Sequence, residues 1–551
     1  MSSQYTNKIH RMPVLSPRKR RFSGIALGAI ALCLANSTLA NAFEFTPGDL
    51  VIDTVTGSGL DSASPMTLQE FSLGGGGTSA SPSGSLTLPQ TGSGAISGEY
   101  GSASEGFLSQ SVNSQYLTVI GYGVNATTFN TAPASTYGAP TPPSPGQTTN
   151  FALGQTTSLT PSEQTGTIYT TVPRVVALIG GNGGVNTSTQ LTDVFNTNNP
   201  RSAVTVDGTS FYVSGQGASK TDPTQGVFLA QLGATTATTI DNSTDTRALA
   251  IYNNALYVSR DQNPPGGGSQ NFTNVGRYDV TGGGLPTSST DWNLTHIAPP
   301  ASPLSSGGNN GSINLTAGTA NGINNSRIGS FVYLSPEQYF FANPDTLYVA
   351  DSGQPKNGNV NKAALGEGGL QKWSFNGSTW VLDYDLVAGL NLLNNANADA
   401  NTPAAPGVTG LFGLTGEVVG GQVELFATSY GLNELSPSFL YEITDTLADT
   451  TIAQAASETF DTLYSAPTNI SIRGVAFAPT GMDDPLTPTP LPASWTFMLI
   501  GLAGLGWAAM RRRPNAQVWP PPDRHLDQAV IRPRSMMFEC DGWVSASRQA
   551  Y

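Results

Sequence analysis

The sequence predicts an all-β protein, a β-propeller of about seven blades, followed by one transmembrane helix near the C-terminus. Two observations predict the propeller. Charged residues are only 11% of the chain while Gly numbers 63 and Pro 38, a composition typical of short strands and polar loops. A strand-like pattern also recurs at intervals near 45 residues or twice that, which is in the propeller range. A β-helix or an irregular β-rich passenger domain is the alternative.

The length of the chain agrees with a large repeat fold. At 551 residues and 57.2 kDa it exceeds the size at which one compact core keeps growing. We divide it as follows: a signal peptide over 1–42, a propeller-like extracytoplasmic domain over 43–481, a Pro/Thr linker over 482–494, a transmembrane helix with an Arg cluster over 495–513, and a short tail over 514–551.

The recurring strand combines β-branched and aromatic residues, as strands do. Its copies are Tyr116–Ile120, Ser210–Ser214, Ala255–Ser259, Thr346–Ala350 and Glu424–Thr428. The central apolar residues lie 94, 45, 91 and 78 residues apart. Because 94 and 91 are near twice 45, we expect a degenerate copy inside each long interval. Residues 43–489 then hold about seven repeats, and six or eight repeats would also fit this length.

Two of these strands are preceded by another strand across a tight turn. The turns are Asp207-Gly208 and Asn253-Asn254, residues that favour the left-handed conformations of hairpin turns.

Near the chain end, the predicted strand Ile472–Phe477 has no partner strand after it. Pairing it with an N-terminal strand, such as the weakly partnered Tyr116–Ile120, would close a ring. Residues 130–165 are of low complexity, and we expect them to leave the sheet.

Charge separates the chain into three regions. Six basic residues and no acids precede residue 22, whereas residues 43–489 hold 11 basic and 33 acidic residues, a net charge of −22. Such a core offers little to nucleic acid, whose binding depends on neutralising phosphates. The two cysteines, Cys33 and Cys540, lie outside it, so we expect neither a disulfide framework nor a cysteine metal site in the core.

The N-terminus has the organisation of a secretory signal. A basic region ending at Arg21 precedes the apolar stretch 24–35, and Ala40 and Ala42 form a small-residue cleavage site. Charge, apolar length and small residues together predict export and cleavage. An uncleaved anchor is the alternative, although about a dozen apolar residues are few for a membrane span.

The C-terminus predicts a membrane helix. Sixteen uncharged residues from Trp495 to Met510 are followed by Arg511, Arg512 and Arg513. As a helix they would measure about 24 Å, enough to cross a thin bilayer. The arginines should remain cytoplasmic, which places the acidic core outside.

This arrangement resembles the PEP-CTERM sorting signal of Gram-negative bacteria, which combines a Pro-x-Pro motif, an apolar helix and terminal arginines. The matching motif is Pro490, Leu491, Pro492, Ala493, Ser494 and Trp495. The resemblance implies a membrane exosortase as processing partner, an inner-membrane intermediate, and release to the cell envelope or beyond, often beside exopolysaccharide. Leu491 stands where Glu is commonest, and 38 residues follow Arg513, an unusually long tail for such a signal. A plain single-span anchor is the alternative.

Few residues suggest catalysis. His296 is the one histidine of the core, and no Gly-x-Ser-x-Gly or HExxH motif accompanies it. Three acidic segments could bind calcium, although none has EF-hand spacing: Asp241–Asp245, Asp351–Gly353 and Asp383–Asp385. We interpret them as turn residues, and Gly180–Gly184 as a turn that lacks the P-loop lysine. We therefore assign no catalytic, cofactor or metal residue, and calcium stays an open possibility.

Three functions are compatible with these features. The first is a non-enzymatic, exported surface or matrix protein that binds polysaccharide or another envelope component; Trp292, Trp373 and Trp380 are candidates for stacking on sugars. The second is a calcium-dependent propeller hydrolase, lactonase- or phytase-like. The third is a scaffold that binds another protein.

Overall fold

A computed structural model describes residues 43–481, apart from the short segments given next. These are 58, 103, 134–135, 138–151, 160–168, 220, 262–272, 301–311, 315–330, 334, 354–367, 391, 393–407 and 432–435. The chain divides into two compact units, Met1–Leu486 and Thr487–Tyr551, and every described residue belongs to the first.

The described chain is mostly β-structure, which confirms the prediction of an all-β domain. Its strands are β1 (Leu50–Thr56), β2 (Ser62–Gly74), β3 (Ser79–Thr87), β4 (Ser97–Tyr100), β5 (Ser109–Gln110), β6 (Tyr116–Tyr122), β7 (Arg174–Gly180), β8 (Val185–Leu191), β9 (Pro200–Val204), β10 (Ser210–Gly215), β11 (Gly226–Gln231), β12 (Thr238–Asp241), β13 (Leu249–Tyr252), β14 (Ala255–Asp261), β15 (Thr273–Val280), β16 (Trp292–Ala298), β17 (Ser312–Asn314), β18 (Phe331–Tyr333), β19 (Pro336–Asn343), β20 (Thr346–Ser352), β21 (Gly368–Phe375), β22 (Trp380–Leu386), β23 (Val408–Val419), β24 (Gln422–Gly431), β25 (Phe439–Thr446), β26 (Asp461–Ser465) and β27 (Ile470–Phe477). The described helices are short: α1 (Ala126–Thr131) and two 3-10 turns at Gly92–Gly94 and Leu153–Gln155.

The strands form a propeller-like arrangement of antiparallel sheets. Four separate sheets each contain four consecutive strands: β9–β12, β13–β16, β19–β22 and β23–β26. The remaining large sheet contains two more four-stranded runs, β27-β1-β2-β3 and β5-β6-β7-β8, which β4 joins. We number these six runs of the described chain as blades 1 to 6, beginning with the run that contains β27.

Each blade contacts the next around a ring. Contacts join β6 to β9, β9 to β13, β14 to β19, β20 to β23, and β23 to β27. The Phe107 and Phe412 rings stack with centroids 4.2 Å apart. Gln338 on β19 donates its side-chain amide to the carbonyl of Leu108 at 3.0 Å. Phe107 and Leu108, which directly precede β5, therefore contact the first strands of blades 5 and 6.

In their described residues, the two long repeat intervals contain insertions and no further four-stranded run. The five predicted repeat strands are the second strands of blades 2 to 6, namely β6, β10, β14, β20 and β24. Blade 2 contacts blade 3 directly, and blade 4 contacts blade 5. The prediction that each long interval contains a degenerate repeat is therefore wrong for the described residues. The first interval includes α1, and the second includes the hairpin β17–β18. A count of about seven blades stays a prediction beside the six runs of the described residues.

The C-terminal strand pairs with the N-terminal one. Val475 lies opposite Ile52, and Phe477 opposite Leu50, in the antiparallel pair of β27 and β1. The prediction that this partner is Tyr116–Ile120 is wrong, because that segment pairs with β5 and β7 inside blade 2. The shared blade joins the two ends of the domain, so the ring closes as a propeller requires.

The two predicted hairpin turns form as their residue types dictate. Asn253 and Asn254 have φ values of +46° and +57°, and Gly208 has a φ of +85°. Such left-handed conformations match the twist of two-stranded ribbons.

The low-complexity segment 130–165 was expected to leave the sheet. Its described residues contain helical turns and no strand.

The predicted targeting segments lie outside the described residues. They are the cleavage residues Ala40 and Ala42, the motif Pro490–Trp495, the helix 495–510, the cluster Arg511–Arg513 and the tail 514–551. In the described part of the chain, no helix is long and apolar enough to cross a membrane.

Candidate functional site

A groove of about 330 Å³ opens between blades 4 and 5. Three turns form it: the β13–β14 hairpin, the turn after β15, and the β19–β20 hairpin. We call it the Tyr252 groove; its walls include Tyr252, Asn254, Tyr257, Arg277, Asp279 and Pro344. The groove exists because each hairpin turns tightly and leaves its polar residues at the rim of the sheet.

One side of the groove continues into a row of aromatic rings. Tyr252 stacks on Phe341 with centroids 4.6 Å apart and planes 10° from parallel. Trp380 packs edge-on against Phe341 at 6.4 Å, and Phe375 lies 5.7 Å from Trp380. Phe375 is 36% exposed, and Tyr252 and Trp380 are half-buried. We call these four side chains the aromatic row. Phe341 is buried beneath it at 8% exposure, and Tyr252, Trp380 and Phe375 offer solvent an apolar surface held by stacking.

The opposite side of the groove is polar. Arg277 Nε donates a hydrogen bond to Asp279 Oδ1 at 2.5 Å, and the two side chains are 41% and 35% exposed. The Thr295 hydroxyl donates to the other oxygen of Asp279. Although partial burial opposes it, the hydrogen bond and charge of Asp279 raise the pKa of Arg277. The pair therefore presents cationic donors and anionic acceptors side by side, with no net charge.

The hairpin tip adds neutral polar groups. Asn253 and Asn254 are both exposed, and each amide can donate and accept hydrogen bonds. Beneath them Tyr257 lies in register with Arg277 across β14 and β15. Burial raises the pKa of Tyr257, so its hydroxyl remains a neutral donor at pH 7. Ring faces beside amides and a charge-balanced ion pair are suited to a polar, uncharged ligand.

The three candidate tryptophans have different positions. Trp373 is only 2% exposed and donates to the side chain of Gln371 at 3.0 Å, so its assignment as a stacking residue is wrong. Trp292 is half-buried against Tyr278, and its indole donates to the carbonyl of Ile240 at 3.2 Å. Trp380 belongs to the aromatic row.

His296 lies on β16, opposite Gly276 of β15. Its ring contacts Asn274 and lies 3.4 Å from the Arg260 guanidinium. Burial and then the charge of Arg260 lower its pKa to about 4. The imidazole is therefore neutral at physiological pH, and its neighbours hold it as a structural group.

Carboxylates of the acidic segments accept hydrogen bonds from the backbone and from neighbouring side chains. Asp351 accepts hydrogen bonds from the backbone amides of Ser335 and Gly353 and from the Gln371 side chain. Asp241 accepts from Ser243 and Tyr278, while Asp245 pairs with Arg201. The two carboxylates of Asp241–Asp245 thus face different partners.

The proposed carboxylate pair on β22 is separated by a β-bulge. The register passes from Trp373–Leu382 to Lys372–Tyr384, which leaves Asp383 without a direct cross-strand partner. Ser374 donates to Asp383, whereas Asp385 is 4% exposed and burial raises its pKa to about 8. The expectation that both carboxylates share one face of a regular strand is wrong because the bulge breaks the alternation.

No group of three His, Cys, Asp or Glu side chains among the described residues is arranged to hold a metal ion. The Gly180–Gly184 segment forms the β7–β8 turn, in which the Gly180 amide donates to the Gly184 carbonyl at 2.9 Å. These acidic residues and glycines thus belong to strands and turns of the sheets, and the Tyr252 groove is a cavity among the described residues that suits a ligand.

No local sequence pattern indicates the groove. The Asn253-Asn254 pair predicts a hairpin turn, whereas nothing near Tyr252, Arg277 or Asp279 in the sequence points to a binding site. The β19–β20 turn that faces them is about 90 residues further along the chain. An aromatic residue directly before an exposed Asn-Asn turn was the one available signal.

Comparison with known proteins identifies no family. No family model matches the chain, and no curated protein is significantly similar to it. Solved structures with some likeness include a nidogen/laminin complex (9% identity, 78% of this chain and 98% of that chain, TM-score 0.34). Others are a putative 6-phosphogluconolactonase from Bacteroides uniformis (9%, 77% and 99%, 0.29) and an ancestral GH74 enzyme (12%, 78% and 48%, 0.29). At these identities and TM-scores the likenesses carry no functional argument.

Proposed function

We propose that the protein is an exported, non-enzymatic surface or matrix protein that binds a neutral polysaccharide in the Tyr252 groove. The observation that carries this proposal is the aromatic row beside a charge-balanced polar wall. Flat apolar faces of sugar rings pack on aromatic side chains, and their hydroxyls need neighbouring donors and acceptors.

The charge of the protein favours a neutral ligand over an anionic one. Residues 43–489 carry a net charge of −22, and Arg277, the arginine in the groove wall, is already paired with Asp279. An anionic chain would meet repulsion from the surrounding surface without an available cation to offset it. Hydroxyl groups, in contrast, can bond to Arg277, Asp279 and the exposed asparagines without a charge mismatch.

Removing a ring from the aromatic row is expected to weaken polysaccharide binding. Tyr252→Ala and Trp380→Ala should each reduce affinity about tenfold, roughly 1.4 kcal/mol. Binding is measured by co-sedimentation of the full chain with insoluble cellulose, chitin and mannan. Val418→Ala, at a 43% exposed position on the β23–β24 hairpin, is the matched control and should bind like the wild type.

Two outcomes would contradict the groove assignment. One is unchanged retention of both groove variants on a polysaccharide that the wild type binds. The other is absence of binding to every neutral glycan, together with calcium-dependent hydrolysis of an ester or phosphoester, which would support the hydrolase alternative. Retention of a protein partner by the glycan-inactive chain would instead support the scaffold alternative.

We also propose that the chain is processed at its C-terminus. The PEP-CTERM resemblance supports an inner-membrane intermediate, held by 495–510 and the arginines 511–513, that an exosortase cuts near Pro490–Trp495. Replacing all three arginines by Ser should reduce membrane retention and sorting without changing the β-rich fold. Mass spectrometry of the extracellular protein tests this: a mature form that still ends at Tyr551 would show a simple anchor or a blocked signal.

A further inference from the structure

A buried lysine and a buried aspartate meet where blades 5 and 6 pack together. Lys372 on β21 places its Nζ 2.7 Å from Oδ2 of Asp445 on β25, and both side chains are fully buried. The lysine also donates to the Tyr384 hydroxyl and to the Thr446 carbonyl, both at 2.9 Å. The amine and the carboxyl group are therefore fixed in contact, away from bulk water.

Two tyrosines hold the carboxyl group of Asp445 in place. The Tyr384 hydroxyl donates to Oδ1 at 2.5 Å, and the Tyr348 hydroxyl donates to Oδ2. Their rings lie 5.2 and 5.6 Å from Lys372 Nζ. Hydrogen-bond donors on both oxygens polarise the carboxyl carbon toward a nucleophile, as donors do at an oxyanion.

Glu458 supplies an acid beside the same carboxyl group. Its carboxyl group interacts electrostatically with Asp445, the Thr446 amide donates to its Oε1 at 3.2 Å, and its Oε2 is buried. Burial, followed by the hydrogen bond and charge of Asp445, raises the pKa of Glu458 to about 8. At neutral pH the carboxyl of Glu458 therefore retains a proton that it can share with Asp445.

We propose that Lys372 and Asp445 condense to an intramolecular amide, with Glu458 as the proton-transferring catalytic residue. The ammonium first gives a proton to the Asp445 carboxylate, leaving a neutral amine and a neutral acid. The Nζ lone pair attacks Cγ and the C–N bond forms. Glu458 then protonates the departing hydroxyl, the C–O bond breaks, and the excess proton on nitrogen returns to Glu458. One water molecule leaves, and no oxidant, reductant or cofactor is needed.

The surroundings favour this step over a lasting ion pair. Fixed contact between reacting groups corresponds to effective concentrations of about 10⁵–10⁸ M, which offsets the ordinary preference of amides for hydrolysis in water. The product would join two neighbouring blades covalently across 73 residues of chain.

The test is peptide mass spectrometry of the full chain after denaturation and cleavage on the C-terminal side of glutamates. Lys372 then lies in the peptide 368–417 and Asp445 in the peptide 443–458. We expect one branched product whose mass equals the sum of the two peptides less one water. Recovery of both peptides only as separate species at their full masses would overturn the proposal.

Variants separate the chemistry from the folding of the site. Lys372→Arg keeps a cation but should abolish the branched product. Glu458→Gln keeps the size and hydrogen bonds of the side chain, and should lower the branched fraction at least tenfold; its peptide extends beyond residue 458. Glu424→Gln, on the neighbouring strand β24, is the control and should cross-link fully. Full cross-linking in Glu458→Gln, with native circular dichroism, would remove Glu458 from the mechanism.

Discussion

Val475→Asp should abolish cooperative folding of the whole domain. Val475 lies on β27 opposite Ile52 of β1 and is fully buried, in a core cluster that includes Leu50 and Phe426. An unpaired carboxylate there costs on the order of 5 kcal/mol, comparable with the whole stability of a domain, about 5–15 kcal/mol. Because β27 and β1 close the ring, the loss should spread beyond blade 1.

Urea denaturation followed by far-ultraviolet circular dichroism measures this effect. The control is Val418→Asp, the same change at a 43% exposed site, which should shift the free energy of unfolding by roughly 0.5 kcal/mol or less. A Val475→Asp protein that unfolds with wild-type midpoint and slope would show that β27 is not required to hold the sheets together.

Breaking the ion pair between Arg247 and Glu337 is expected to have the second largest effect. Arg247 precedes β13 in blade 4, and its Nη1 lies 2.8 and 3.1 Å from the two oxygens of Glu337 on β19 in blade 5. The Ser352 hydroxyl donates to the same carboxylate at 2.9 Å. Removing one partner of such a buried pair leaves a charge in the interior, which costs about 3–5 kcal/mol.

Glu337→Ala should therefore lower the free energy of unfolding by that amount. Asp279→Asn breaks the exposed Arg277–Asp279 pair instead and should cost about 0–1 kcal/mol. The double variant Arg247→Met, Glu337→Leu should recover most of the loss, since no uncompensated charge remains. Equal losses for the buried and the exposed pair would contradict the described burial of Arg247 and Glu337.

The strands and turns could be predicted because their causes are local. Aromatic and β-branched residues around Phe211 and Leu256, with Asp-Gly and Asn-Asn turns before them, specify hairpins without reference to distant parts of the chain. The described structure places all five predicted repeat strands second in their blades.

The number and closure of the blades could not be read in the same way. An insertion between Leu117 and Phe211 lengthens one interval to near twice a repeat, and spacing alone cannot distinguish an insertion from a weak copy. The partner of Ile472–Phe477 is Leu50–Thr56, whose selection depends on packing across the whole ring. Long-range pairing of this kind is not specified by any local pattern.

The candidate sites were least predictable because they join distant segments. The Tyr252 groove combines turns from blades 4 and 5, and Lys372 meets Asp445 from blade 6. Acidic segments are the calcium candidates of the sequence, yet the structure buries Asp351 and Asp385 in the sheet interior. Both sites lie at junctions between blades, so they depend on the ring.

Native-state amide hydrogen exchange tests the closed ring most directly. The amides of β1 and β27 that bond to each other should exchange with the same free energy as those of β10 and β20, because opening this pair opens the domain. Equal protection in all four strands, lost together on addition of urea, is the predicted result. Early exchange of β1 and β27, while β10 and β20 remain protected, would contradict the closed propeller.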